Sequence, residues 1–189
     1  MAQAATIGPP LLSPGFQARV ERLSGEKISS CIQCGTCSGS CPMSVRMRYT
    51  PRRLVEMMRA GMEREVLSSG AYWYCATCYS CAVRCPRDIN VTNVMGALKR
   101  MTLQRSGDRA AAFYRTFGWV TRTFGRLQEV ALMGLYMVRT NPFAAFGYAP
   151  FGVKLFLRGR LNVLDVFPKR SAREVATLWR KAKELEGAS

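Results

Sequence analysis

The residues of this sequence best suited to chemistry are its cysteines, which fall in two short runs. CIQCGTCSGSCP covers residues 31–42, and CATCYSCAVRCP covers residues 75–86. Both runs have the spacing C-x2-C-x2-C-x3-C-P, and every cysteine of the first recurs 44 positions later. The chain of 189 residues has eight cysteines, all within these runs, and no histidine. Thiolates at such short intervals are typical of ligands to a soft metal centre.

The spacing is typical of 4Fe-4S binding in bacterial two-cluster ferredoxins. Three thiolates three residues apart on a wrapping loop can reach three iron corners of one cubane, whereas the fourth corner is out of reach. The proline after the fourth cysteine biases that cysteine to an extended backbone, which directs its thiolate to the other cluster. Two 4Fe-4S clusters with crossed ligands are therefore predicted. The predicted ligands are Cys31, Cys34, Cys37 and Cys85 for one cluster, and Cys75, Cys78, Cys81 and Cys41 for the other.

Other uses of the thiols fit the pattern less well. Zinc also binds C-x2-C pairs, but a zinc site has no use for a third cysteine at the same interval in each run. A disulfide framework belongs to oxidising compartments and usually to smaller domains. Catalytic thiol chemistry lacks an imidazole base, because the chain has no histidine. Zinc remains the main structural alternative.

The charge of the chain indicates an anionic partner. Lysine and arginine number 28 against 12 aspartates and glutamates, which suits an acidic protein face, a phospholipid surface or nucleic acid. Nucleic acid is not expected as a partner because no base-reading motif appears. A basic nucleic-acid-binding protein with metal as its scaffold nevertheless stays an alternative from a different functional class.

The expected location is the cytosol. The first residues, MAQAATIGPPLLSPG, lack the basic region and the continuous apolar segment of a secretory signal. An apolar stretch from Val130 to Val153 is interrupted by Arg139, so it does not fit a spanning helix. Contact with the inner face of the membrane, or burial against a partner protein, suits this aromatic segment better.

The remaining pattern predicts an all-α fold in which helices flank two cluster-binding loops. Start signals at Ser13-Pro14 and Thr50-Pro51 predict helices before and between the cysteine runs. Apolar residues at helical spacing from Val91 to Met101 predict a helix after the second run. Asp108 is expected to cap a further helix, and Ser171 to begin a last one. The predicted inward residues of these two helices are Phe113, Phe117, Val120, Phe124 and Leu127, and Val175, Leu178, Ala182 and Leu185.

Together these motifs resemble the C subunit of heterodisulfide reductase and of heterodisulfide reductase-like complexes. The resemblance rests on both cysteine runs, on YTPRRLVEMMRAGM between them, on YWYCATCYSCAVRCPRDINV and, more weakly, on FGVKLFLRGRLNVLDVFPKR. It implies an α-helical ferredoxin module with additional C-terminal helices. It also implies electron transfer between a flavin-containing A subunit and a B subunit whose cysteine-rich CCG domains perform disulfide or sulfur chemistry.

The cysteine pattern is shared by iron-sulfur subunits of membrane-bound, quinone-linked oxidoreductases, which remain the nearest alternative. Glycolate and glycerol-3-phosphate dehydrogenase subunits add CCG domains, but no cysteine follows Pro86 here. Residues 1–107 are therefore expected to form the α-helical ferredoxin domain with both clusters. Residues 108–189 are expected to form a helical docking extension, because aromatic residues are concentrated among arginines between Asp108 and Lys169.

Overall fold

The regular structure of the described chain is helical, as the sequence predicts. In a computed structural model, the described residues are 13–104, 109–141, 143, 147, 150, 152–154, 157–158 and 171–187, and none of these is in a strand. The chain divides into two compact units, Met1–Gln104 and Arg105–Ser189. The α-helices with described ends are α1 (Phe16–Ser24), α2 (Thr36–Gly39), α3 (Pro51–Arg59), α4 (Glu63–Ser69), α5 (Ser80–Val83), α6 (Val91–Leu103), α7 (Arg109–Phe124), α8 (Glu129–Thr140) and α9 (Ser171–Gly187). Short 3-10 turns cover Ile28–Ser30, Ser44–Arg46 and Ala71–Tyr74.

Helix α3 begins at Pro51, as predicted, because the fixed φ of proline suits the first helical position. The helical segment between the cysteine runs is broken at Gly61, which has a left-handed φ of 73°. Ser13 N donates to Gly61 O over 2.8 Å, and a Cβ on Gly61 would lie 3.2 Å from Ser13 O. The connector is therefore two helices, α3 and α4, and the turn between them contacts the segment that leads into α1.

The core of the first unit lies between the helices that flank the cysteine runs. Helix α1 packs on α3 and α6, and its residues Phe16 and Val20 are fully buried. The predicted apolar face of α6 is buried at Val91, Val94, Met95 and Leu98. The helix start predicted at Ser13-Pro14 is too early, because Gly15 adopts a left-handed φ of 86° and α1 begins at Phe16.

The start of α6 is held by polar side chains. The Asn90 side chain accepts hydrogen bonds from the backbone N–H groups of Thr92 and Asn93, which satisfies donors that a helix start leaves unpaired. Glu26, just before the first cysteine run, accepts from Asn90 N and from Asn93 Nδ2, each over 2.9 Å. The segment before the first cysteine run is thereby joined to the segment after the second run.

In the second unit, α7 packs against α8 and α9. The rings of Phe113 and Tyr136 meet edge to face with centroids 5.6 Å apart, and Arg139 Nη1 donates to Thr116 Oγ1 over 3.3 Å. Helix α8 ends at Thr140, with Asn141 as its C-cap residue. Asp108, predicted to cap α7, lies outside the described residues.

The inward faces predicted for α7 and α9 are largely wrong. On α7 the buried residues are Ala111, Thr116 and Val120, while Phe113 and Phe117 remain 37% and 39% exposed. On α9, Leu178 and Leu185 are 66% and 74% exposed. The buried stripe of α7 consists of small side chains because they let neighbouring helices approach, and the large aromatic side chains lie beside that stripe. No helix in the described ranges is both long and apolar enough to cross a membrane.

Candidate metal centres

The two cysteine loops have the same backbone conformation at equivalent positions. The residue before the second cysteine is left-handed in both loops, with φ of 59° at Gln33 and 55° at Thr77. The residue after it is left-handed too, with φ of 85° at Gly35 and 59° at Tyr79. A short helix then follows in each loop, α2 in the first and α5 in the second. These left-handed residues make the chain wrap around a point instead of extending past it.

A cavity lies inside the first loop. The thiols that line it are those of Cys31, Cys34, Cys37 and Cys85. Gly35, Arg52, Val55, Ile89 and Val91 complete most of its wall. Three of its thiols therefore come from the first loop and one from the second.

A second cavity lies inside the second loop. Its thiols are those of Cys41, Cys75, Cys78 and Cys81. The rest of its wall is mostly apolar and includes Pro42, Met43, Met47, Pro51 and Met95. All eight predicted site residues thus border one of the two cavities, and in each the fourth thiol comes from the other loop.

The two cavities share one wall residue, Val91, the first residue of α6. Val91 is only 3% exposed, and Asn90 and Glu26 hold the helix start on which it lies. The thiol of Cys81 in the second cavity is close enough to that of Cys37 in the first for its thiolate charge to contribute to the raised pKa of Cys37. The sequence pattern indicates only that Val91 is an inward residue of a helix, so its position between two sites was not predictable.

Hydrogen bonds from nearby residues favour the thiolate at the second cysteine of each loop. The hydroxyl and backbone of Thr36 lower the pKa of Cys34, and the Thr36 Oγ1 to Cys34 Sγ distance is 3.4 Å. The backbone and hydroxyl of Ser80, at the equivalent position, lower the pKa of Cys78. Thiolate is the form that binds metal, so both contacts favour metal binding.

The third cysteine of each loop is affected in the opposite direction. Burial raises the pKa of the Cys37 thiol and of the Cys81 thiol, because each lies against the apolar core. The hydroxyls of Ser38 and Thr92 partly oppose this effect. A bound cation would offset the burial penalty directly, since it stabilises the thiolates that surround it.

Basic side chains bind the backbone beside both loops. Arg59 Nη1 donates to Cys31 O over 2.9 Å, and Lys99 Nζ donates to the equivalent Cys75 O over 3.1 Å. Arg87 Nε donates to Ser30 O over 3.2 Å. The sequence marks Arg87 as a neighbour of a cysteine run, but Arg59 and Lys99 are distant along the chain and were not identified.

The donor set fits two 4Fe-4S clusters. Each cavity is lined by four thiols, and thiolates are the usual ligands of such clusters. Gln33 N also donates to Cys31 Sγ over 3.4 Å, the type of contact that stabilises cluster sulfur. Within the described ranges, no group of three or more His, Cys, Asp or Glu side chains lies close enough together to hold a single metal ion.

Comparisons with known proteins agree with this geometry. A family model described as 4Fe-4S dicluster domain matches residues 27–89, which include both cysteine runs. The fold and the two thiol-lined cavities therefore define a protein with two 4Fe-4S clusters.

The chain is 40% identical over 127 residues to the iron-sulfur C subunit 2 of the CoB–CoM heterodisulfide reductase of Methanocaldococcus jannaschii, covering 64% of this chain and 67% of that protein. It is 35% identical over 108 residues to the C subunit of the H2:CoB-CoM heterodisulfide,ferredoxin reductase of Methanothermobacter thermautotrophicus, covering 57% and 58%. It is 38% identical over 87 residues to the C subunit of the ferredoxin:CoB-CoM heterodisulfide reductase of Methanosarcina mazei, covering 46% and 53%. The chain thus spans between about half and two thirds of the length of these relatives.

The chain belongs to the family of the iron-sulfur C subunit of heterodisulfide reductase. It is accordingly an iron-sulfur protein that transfers electrons through two 4Fe-4S clusters. The relatives are named as subunits, so each of them belongs to a larger complex.

Proposed function

We propose that Cys31, Cys34, Cys37 and Cys85 bind one 4Fe-4S cluster and that Cys75, Cys78, Cys81 and Cys41 bind the other. The observation that carries this proposal is the grouping of the thiols around two cavities, each lined by three thiols of one loop and the last thiol of the other. The matching left-handed residues in both loops support it further. When bound, the clusters supply one-electron chemistry, and the protein supplies thiolates, hydrogen bonds and a fixed separation.

We further propose that the chain relays electrons between a flavin-containing A subunit and a CCG-domain B subunit in a heterodisulfide reductase-like complex. The names of the relatives support membership in such a complex. The shared wall at Val91 supports passage of an electron from one site to the other, because one buried residue lines both cavities. The chain then takes part in oxidoreduction without binding the disulfide or sulfur substrate itself.

Docking to those partners is assigned to residues 108–189. Tyr114 and Trp119 on α7 are 46% and 47% exposed, and Phe143 is 83% exposed. Exposed aromatic side chains among arginines are typical of a protein interface. Phe146, Phe151 and Phe156, which the sequence also suggests for docking, lie outside the described residues.

Purification under anaerobic conditions from the native cell tests the function directly. The expected preparation contains about eight irons and eight acid-labile sulfides per chain, because two clusters of four irons are bound. Flavoprotein and CCG-domain subunits are expected to co-purify. Stoichiometric zinc without sulfide would contradict the cluster assignment, and co-purification with a quinone-reducing membrane complex would favour the alternative partner set.

A truncated chain that ends at Thr140 tests the docking role. The first unit contains both cavities, so the truncated protein is expected to keep both clusters but to lose its association with partner subunits or with the membrane fraction. Unchanged association would contradict the docking role of the removed residues. Loss of iron and sulfide would instead indicate that these residues complete the fold.

A further inference from the structure

We propose that the two sites differ in reduction potential, and that Arg52 gives the first site, in the Cys31 loop, the higher value. The inference rests on the proposed cluster ligands and goes beyond them, because it gives the electron a preferred position inside the chain. It follows from a difference between the walls of the two cavities.

Arg52 is part of the wall of the first cavity. Its side chain passes next to Gly35, such that a Cβ on that glycine would lie 3.7 Å from Arg52 Cδ. Its backbone N–H donates to Ser38 Oγ over 2.9 Å, which fixes the start of α3 against α2. The backbone of Arg52 is therefore fixed beside the middle of the loop, and its side chain lies along Gly35 at the wall of the cavity.

Two more arginines add positive charge at the start of the same loop. Arg59 and Arg87 donate to the carbonyl oxygens of Cys31 and Ser30. The second loop has one equivalent contact, from Lys99 to Cys75 O. Among the described residues that line the second cavity, none is charged. Arg84 Nη1 also donates to Ser40 Oγ over 3.4 Å, beside Cys41 of the second site. The clear difference between the two sites is therefore in their walls, where Arg52 lines the first cavity.

Hydrogen bonds to the first cysteine of each loop differ in the same direction, while at the second site Cys81 Sγ has its own contact with Thr92 Oγ1 over 3.7 Å. In the first loop, Cys31 Sγ accepts from Gln33 N over 3.4 Å and from Gln33 Nε2 over 3.6 Å. The residue equivalent to Gln33 in the second loop is Thr77, whose side chain has no amide to donate. Hydrogen bonds to the sulfurs and nearby positive charge are both known to raise the reduction potential of a cluster.

Reduction adds one electron and one negative charge to a site, with no bond formed or broken. Positive charge at the first site stabilises that added charge, whereas the apolar wall of methionines and prolines at the second site disfavours it. An electron that a partner delivers to the second site therefore passes to the oxidised first site, which gains the electron that the second site loses. Arg52 is exposed, so solvent screening limits the size of its effect.

A redox titration of the full-length protein with both clusters, followed by electron paramagnetic resonance, tests this proposal. The titrant is dithionite, a one-electron reductant in its reactive form. Two separate midpoint potentials are expected for the unchanged protein. Arg52→Gln is expected to lower the higher potential, with a change of about tenfold in the reduction equilibrium, or about 59 mV.

Arg53→Gln is the matched control. Arg53 neighbours Arg52 on the same helix and is also exposed, but it pairs with Glu56 over 3.2 Å and lines neither cavity. The Arg53→Gln substitution removes the same charge as Arg52→Gln and is expected to leave both potentials close to their original values. Equal shifts from Arg52→Gln and Arg53→Gln would overturn the proposal, as would a shift confined to the lower potential.

Ala76→Lys supplies an independent variant, since Ala76 is exposed at the rim of the second cavity. The added charge is expected to raise the lower potential and to bring the two values together. A change in the higher potential alone would overturn the proposal. Iron and sulfide analysis separates two kinds of failure: two clusters of equal potential contradict this inference alone, whereas fewer than two clusters contradict the proposed function and this inference together.

Discussion

The two cysteine loops reach the same backbone conformation with different side chains. At the position after the second cysteine, the first loop has Gly35 and the second has Tyr79, yet both have a left-handed φ. Glycine adopts this conformation at no steric cost, whereas other L-residues pay about 1–2 kcal/mol. The conformation is therefore required by the wrapping of the loop, and the residue type is secondary. Tyr79 is also 46% exposed, so core packing does not account for its presence.

The loops also differ in how they are attached to the core. The third residue before the first cysteine is fully buried in both cases, as Ile28 in one loop and Tyr72 in the other. Ile28 contributes only apolar packing. Tyr72 adds hydrogen bonds, because its hydroxyl donates to Leu67 O over 2.8 Å and lies 2.6 Å from Thr102 Oγ1. The second loop thus depends on a buried polar network that the first loop lacks.

The largest expected effect comes from removing the fourth cysteine of a loop, which tests whether that cysteine binds the cluster of the other loop. Cys85→Ala is expected to remove the cluster of the first cavity and to leave that of the second, because Cys85 lines the first cavity. Iron should fall from about eight to about four atoms per chain. Alkylation and mass spectrometry should find the first three cysteines of the first loop newly reactive. Cys41→Ala is the matched variant, with the opposite expected result, and reactivity confined to the mutated loop in either variant would contradict crossed ligation.

The second effect concerns the hydrogen bonds of Tyr72. Tyr72→Phe leaves the carbonyl of Leu67 without this donor in a buried position, which is expected to reduce the free energy of unfolding by about 1–3 kcal/mol. Urea unfolding of the anaerobic protein, followed by circular dichroism, measures the change. Tyr74→Phe is the control, since Tyr74 is 49% exposed. Equal destabilisation by the two substitutions would indicate that the buried network contributes nothing particular to the second loop.

A smaller effect is expected from Gly35→Ala. An added Cβ has room, because the nearest side-chain atom is 3.7 Å away, so the cost is that of a left-handed alanine, about 1–2 kcal/mol. Gly39→Ala is the control, because Gly39 lies in α2 with open space around it, and there alanine is favoured by about 0.5–1 kcal/mol. Opposite signs in the urea unfolding experiment are the expected outcome. Destabilisation of similar size at both positions would argue against a backbone requirement at Gly35.

The smallest effect is a difference in the pH dependence of thiol alkylation in the protein without clusters. Hydrogen bonds from Thr36 and Ser80 lower the pKa of Cys34 and Cys78, and burial raises the pKa of Cys37 and Cys81. Since the thiolate is the reactive form, the first pair should begin to react at lower pH than the second. Rates for single cysteines from mass spectrometry measure this order. Thr36→Val should move the profile of Cys34 alone to higher pH, and an unchanged profile would contradict the assigned cause.

Much of the site was predictable from the sequence because its chemistry is local. The cysteine spacing identified all eight thiols that line the cavities, and the helix starts at Pro51 and Val91 follow from short-range signals. Contacts between distant segments were not predictable. Lys99 reaches the second loop from the far end of α6, and Arg59 reaches the first from the end of α3. No local pattern distinguishes these residues from other basic residues on the surface.

The second unit was the least predictable part of the chain. Start signals and apolar spacing indicated α7 and α9 correctly. They did not indicate which face is buried, because aromatic residues occur on more than one side of α7. Thr116 and Ala111 are buried there, whereas Phe117 is not. Where large apolar residues surround a helix, their periodicity cannot select one inward face.

The mixed origin of the thiols around each cavity also constrains how the protein is made. The first cavity needs Cys85, and the second needs the cysteines from Cys75 onward. A nascent chain that has emerged only as far as α4 presents the first loop with three of its four surrounding thiols. Neither site can be completed until the ribosome has passed the second loop and that segment has left the exit tunnel. On the proposed ligands, cluster delivery must therefore follow synthesis of both cysteine loops, and a carrier that acts earlier would find only incomplete sites.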